Sequence, residues 1–164
     1  MRDRRLVAHH EAGHALLAWM HCRPGSVLAV VGDNGRSAGV VLFDASKAPP
    51  WAARAIACAG PLAEALALER GEASDAATPA PVEKVDWNDE GIAIMAEPLY
   101  TPADLARIEG SARQRTIEAQ TLRTLRQHWP AVEALALALE AHRGLRPREI
   151  DRIMRQHGVR RALA

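Results

Sequence analysis

The chain has 164 residues, with 21 Lys and Arg against 20 Asp and Glu, a formal net charge of +1, and 48% hydrophobic but only 4% aromatic residues. That length suits one domain, residues 1–164, with a substantial core, and the balanced charge argues against nucleic acid or an anionic membrane surface as a partner. No apolar run approaches the ~18 residues of a membrane span, the basic start is followed by a stretch broken by His9, His10, Glu11 and His14 rather than by a signal peptide, and Cys22 and Cys58 stand too far apart for a metal pair, so reduced thiols and a cytoplasmic location are expected.

Richness in Ala and Leu predicts a mainly α, α+β chain. Residues 3–22 read as one helix, closed by the Arg23-Pro24-Gly25 turn. Val7, His10, His14 and Leu17 fall on one stripe of it, while Ala8, Ala12, Ala15, Leu16 and Ala18 suit packing on both sides. Gly13 costs about 1 kcal/mol inside a helix, so close approach of another backbone is expected there. Residues 26–31 and 38–43 read as short strands around the turn signal Gly32-Asp33-Asn34-Gly35. A two- or three-stranded sheet this small must lean on helices.

A second long helix is expected over 51–70, with Pro61 kinking it or starting a new one. Residues 71–84 form the clearest loop signal. Asp86 is a good cap for a third helix, with Asp89 and Glu90 in the first turn, where the helix dipole favours acids. Thr101-Pro102-Ala103-Asp104 starts another helix, expected to run to Trp129. Residues 130–142 and 147–157 predict two more, stopped by Gly144 and Gly158, and the basic segment 158–164 is expected to fray.

The chemistry lies in the first helix. His10-Glu11-x-x-His14 places two imidazoles one turn apart on one helix face, where both can reach a single zinc ion. Glu11 directly follows one of them, within reach of a water whose acidity the metal would raise, and so suits a general base. A catalytic zinc usually takes a third protein ligand. Spacing alone leaves that ligand open among Glu64, Asp75, Asp86, Asp89 and Glu90, while His128, His142 and His157 read as surface or cap residues.

His-Glu-Ala-Gly-His-Ala, the strand Gly39-Val40-Val41-Leu42-Phe43, the segment Ala59-Gly60-Pro61-Leu62-Ala63-Glu64 and an Asn88-Asp89 pair opening a helix occur in this order. The series resembles the peptidase domain of FtsH-type ATP-dependent zinc metalloproteases, and most nearly stand-alone relatives of that domain. The motifs lie in residues 1–97; residues 98–164 are similar only in being helical. The resemblance implies a zincin-like metallopeptidase fold. It implies zinc held by His10, His14 and an Asp early in a later helix, with Glu11 as the general base. Asp89, in an Asn-Asp-x-x-x-Ala run ending at Ala93, is the preferred third ligand, and Asp86, followed by Trp87, is its rival. Glu64 would stand behind one imidazole and orient it through its other ring nitrogen.

The chain carries no Gly-x-x-x-x-Gly-Lys-Ser/Thr motif, so peptidase chemistry without an ATPase motor is implied. Substrates would be peptides or loosely folded proteins, reached directly or through a partner protein or self-association. Residues 38–43 offer an edge on which a peptide could add as an extra strand. The competing reading is a zinc-stabilised protein-binding module without catalysis, using the expected long helix over 102–129 as its partner surface.

Overall fold

A computed structural model describes residues 3–32, 39–73, 98–110 and 116–162. The described chain is mainly helical with a small antiparallel sheet, in the order α1 (Arg4–His21), β1 (Leu28–Val31), β2 (Gly39–Leu42), α2 (Ala52–Glu69), α3 (Pro102–Gly110), α4 (Ile117–Gln127), α5 (Trp129–His142), β3 (Gly144–Leu145) and α6 (Pro147–Gln156).

α1 is the axis of the fold. Asp3 caps it by accepting a hydrogen bond from the Arg5 amide, and residues 6–19 are buried on every face. No single apolar stripe could produce that pattern. α2 and α5 flank the helix, both long strands lie against it, and α6 touches its far end. The Ala-rich sequence allows this crowding, because small side chains let neighbouring backbones approach from several sides.

The α1–α2 contact is the tightest. A Cβ added at Gly13 would overlap the Ala59 carbonyl oxygen and stand 2.7 Å from the Ala63 Cβ. Gly13 therefore answers to close approach of a second backbone. Residues 55–67 of α2 are buried, and Leu16, Leu17, Leu62 and Leu66 are among the largest side chains fully removed from water. Each contributes about 1.5–3 kcal/mol by burial. α2 continues through Pro61 as one helix rather than restarting there. The proline lacks the donor for one intrahelical bond, but Pro61 and its neighbours are all buried, so packing against α1 sustains the helix.

The sheet order is β2-β1-β3, with Val30 opposite Val40 and Leu28 opposite Leu42 in the β1–β2 pair. Ala29, Val31 and Leu145 are buried on its inner face. The third strand arises where a helix stop was expected. α5 ends with Arg143 in the left-handed conformation, φ 61°, one residue before Gly144. Gly144 is then in extended conformation and pairs with Val30.

Two other expectations are corrected. The helix expected from 102 to 129 is two helices, because Thr116 is extended and its hydroxyl caps α4 by accepting from the Ala119 amide. The basic segment after Gly158 does not fray as far as Ala162. The Ala162 amide donates to the Met20 carbonyl at 2.9 Å, and Arg161 donates to the Trp19 carbonyl at 2.7 Å. The Arg161 guanidinium also stands 4.1 Å from the Trp19 ring centroid, while Asp151 accepts from both Trp19 and Arg161. A cation over an indole face, held by a shared carboxylate, docks this end onto the back of α1. The expected turn at 32–35 falls mostly outside the described residues, as do most of the 71–84 loop and the helix opening at Asp86.

Helix propensity and packing predict opposite signs for Gly13→Ala. Propensity alone would stabilise α1 by about 1 kcal/mol. The overlap with the Ala59 carbonyl involves backbone that cannot swing aside, so the expected result is net destabilisation of roughly 1–2 kcal/mol. A lowered urea midpoint at unchanged slope checks this.

Candidate metal centre

His10, Glu11 and His14 share the buried middle of α1, with exposures of 7%, 4% and 6%. Three ionisable groups in such a place are costly unless each has a defined task. The helix brings the His10 and His14 rings to 4.6 Å between centroids at 77° to one another. Their Nε2 atoms stand 2.9 Å apart.

The other ring nitrogens fix the tautomers. Nδ1 of His10 donates to Glu64 Oε1 at 2.5 Å, and Nδ1 of His14 donates to the Ile56 carbonyl at 2.6 Å. A carbonyl can only accept, so His14 carries its proton on Nδ1. A Glu64 carboxylate imposes the same on His10. Each neutral ring then presents a lone pair at Nε2, the form in which imidazole binds metal. At that spacing the two nitrogens are within hydrogen-bond distance, so one shared proton or a single cation between them would hold the pair together. Nitrogens bound to one tetrahedral zinc stand about 3.3 Å apart, a few tenths of an ångström from the spacing found. The donor set therefore fits a zinc ion.

α2 supplies the hydrogen-bond acceptors behind both rings. Ile56, Gly60 and Glu64 recur every four residues along one face of it, towards α1. Glu64, 8% exposed, takes the expected orienting position behind His10. The Ile56 carbonyl does the same for His14. Gly60 makes room between them: a Cβ there would overlap His14 Nε2 and stand 2.7 Å from Cδ2 and Cε1 of the ring.

Glu11 is housed by the sheet. A Cβ on Gly39 of β2 would lie 2.5 Å from the Glu11 Cδ and Oε1. The carboxyl thus sits beneath the first residue of β2, a position that only glycine leaves vacant. Gly39 and Gly60 were not legible as site residues, because their contribution is the absence of a side chain opposite partners distant in sequence. Both lie in segments that carry the resemblance, Gly39-Val40-Val41-Leu42-Phe43 and Ala59-Gly60-Pro61-Leu62-Ala63-Glu64, but nothing in those segments marks the glycines as neighbours of Glu11 or His14.

His9, next to the first imidazole, faces the other way. Its Nδ1 donates to the Arg5 carbonyl, its ring stacks on Trp129 at 5.7 Å, and its Nε2 is 3.4 Å from Glu72 Oε2. Glu72 also accepts from Arg70 Nε at 2.8 Å and from the Trp129 indole. Burial alone would raise Glu72, but the hydrogen bonds from Arg70 and Trp129 outweigh it and hold its carboxyl below the usual range. This cluster ties the end of α2 to α5 across α1, and so fixes the rotation of the helix that carries the motif.

Among the described residues no group of three His, Cys, Asp or Glu converges to hold a metal. Asp89 and Asp86, the expected third ligand and its rival, lie outside the described residues, as do Asp75 and Glu90. His128, His142 and His157 lie at helix ends, far along the chain from the motif. Cys22 is buried, and burial, with Asp44 adding to it, pushes its thiol up to about 11, away from the thiolate a metal would need. Cys58 is also a buried free thiol, raised by burial.

Removing the charge behind His10 while keeping its acceptor tests this arrangement. Glu64→Gln is expected to weaken zinc binding by about 10–100-fold with the fold retained. Competition against a chromophoric chelator measures the affinity, and circular dichroism checks the fold.

A scan against protein-family models finds no match to the chain, and a search of curated proteins finds none that matches. What the site can do follows from its side chains.

Proposed function

We propose that the chain is a zinc-dependent metallopeptidase, similar to FtsH-type peptidase domains. The observation that carries this reading is the pair of buried Nε2 atoms 2.9 Å apart, each on a ring whose Nδ1 is already committed, with Glu11 one residue away on the same helix. A bound zinc would supply an electrophile that acidifies water and polarises a peptide carbonyl. His10 and His14 would hold it, with Asp89, or Asp86 in its place, completing the set.

The chain's own residues do the rest. Glu64 and the Ile56 carbonyl keep both Nε2 lone pairs aimed at one point and prevent the rings from flipping. Glu11 takes a proton from the attacking water and returns it to the departing amine. Its burial beneath β2 restricts it to a narrow range of positions, so little reorganisation is needed at the moment of transfer. β2 is the outer strand of the described sheet, and an extended peptide laid along it would pass Gly39 and hence Glu11. An extended strand pairing of this kind suits a peptide or a loosely folded protein as substrate. No described helix is long and apolar enough to cross a membrane. Two buried, protonated thiols suit a reducing compartment such as the cytoplasm.

Glu11→Gln is expected to retain zinc and to cleave an unfolded protein roughly 10²–10⁴-fold more slowly. Undiminished cleavage would remove Glu11 as the base. His14→Ala is expected to lose zinc, which elemental analysis of the purified variant reports. Zinc retained by the wild type, with cleavage absent, would assign the chain to the zinc-stabilised binding module instead.

A further inference from the structure

The outer face of the sheet is aliphatic throughout its β1–β2 pair. Val30, Val40 and Leu42 are 36%, 38% and 40% exposed, and Leu28, opposite Leu42, is partly exposed beside them. A small antiparallel sheet with one face on the core normally alternates, with polar residues on its wet face. Here the wet face of that pair carries no polar side chain. Four adjoining aliphatic side chains at the open side of a sheet form a surface that gains from being covered.

The register specifies which of these side chains a strand added beside β2 would meet. Gly39 and Val41 point inward, Gly39 against Glu11 and Val41 against the core, whereas Val40 and Leu42 point outward. A peptide strand added to β2 alternates in the same way. The guest residue opposite Gly39 is the one beside Glu11. In an antiparallel guest, the pairing both existing strand pairs use, the residues one and three positions upstream of it face Val40 and Leu42. Directly opposed side chains on one face of a sheet are in contact, and aliphatic or aromatic partners there are favoured over charged ones.

We propose that Val40 and Leu42 determine substrate choice: the chain selects extended peptides with aliphatic or aromatic residues one and three positions upstream of the residue opposite Gly39. The inference rests on the metallopeptidase reading for calling the guest a substrate. The pairing itself does not require hydrolysis. Neither residue touches the metal-binding pair, so their part is selection rather than chemistry. The strand gives affinity through its backbone, which any sequence can match, and the aliphatic face supplies the discrimination.

The test uses fluorescein-labelled nonapeptides of Ser, Thr and Gly that carry Val at two alternate positions or Asp at the same two. Anisotropy titrations compare wild type with a Val40→Lys/Leu42→Lys variant, whose altered side chains are exposed and leave the fold intact by circular dichroism. Wild type is expected to bind the Val peptide on the order of 10-fold more tightly than the Asp peptide, and the variant to reverse that order. Mass spectrometry is expected to place cleavage at a constant offset from the Val pair. Equal affinities in wild type, or an order unchanged in the variant, would overturn the proposal. So would a concentration-dependent dimer of the wild type that the variant abolishes, since the face would then belong to a second copy. Preferential binding without cleavage leaves the docking surface standing and removes the hydrolase reading. Cleavage of both peptides alike does the reverse.

Discussion

Two imidazole nitrogens held 2.9 Å apart inside a helical core are the constraint around which this molecule is arranged. A shared proton or a cation between them would hold them at that distance. The chain commits both outer nitrogens to acceptors on α2, which leaves the inner pair no choice of tautomer. One acceptor is a carboxylate and the other a backbone carbonyl. Such an arrangement is unstable as hydrocarbon packing and sensible as a cation site.

The rest of the core accommodates that choice. α1 is buried all round, so the motif cannot lie at the surface, and its neighbours must come close without touching the working atoms. Three glycines achieve this, each in a different direction. Gly13 admits the α2 backbone, Gly60 clears the His14 ring and Gly39 clears the Glu11 carboxyl. Alanines at 12, 15, 59 and 63 complete the close contact, all of them fully buried. On the opposite side His9, Trp129 and Glu72 pin the helix against rotation, and at its end Trp19 and Met20 receive the docked basic segment. Positional accuracy comes from packing on every side rather than from any one bond.

The sheet has two faces with two tasks. Its inner face closes the core and covers Glu11 through Gly39. Its outer face, aliphatic where polar residues are the rule, lies on the same two strands and in fixed register with the inner one. Because side chains alternate strictly along a strand, Val40 and Leu42 occupy the outward positions, alternating with Gly39, which meets Glu11, and Val41, which meets the core.

Much of this was legible before any coordinates. The His10, Glu11 and His14 spacing, the need for a close neighbour at Gly13 and the two strands all follow from local periodicity, from a penalty only contact can offset, or from a motif. These are properties of residues a few positions apart. What folding alone decided has a different origin. The pairing of Gly144 with Val30, the docking of Arg161 on Trp19, and the clearances at Gly39 and Gly60 each depend on a partner distant along the chain. Short-range preferences select an element and its buried side. The surroundings of that side are set by which segments meet, and a helix with no polar face gives no local indication of them.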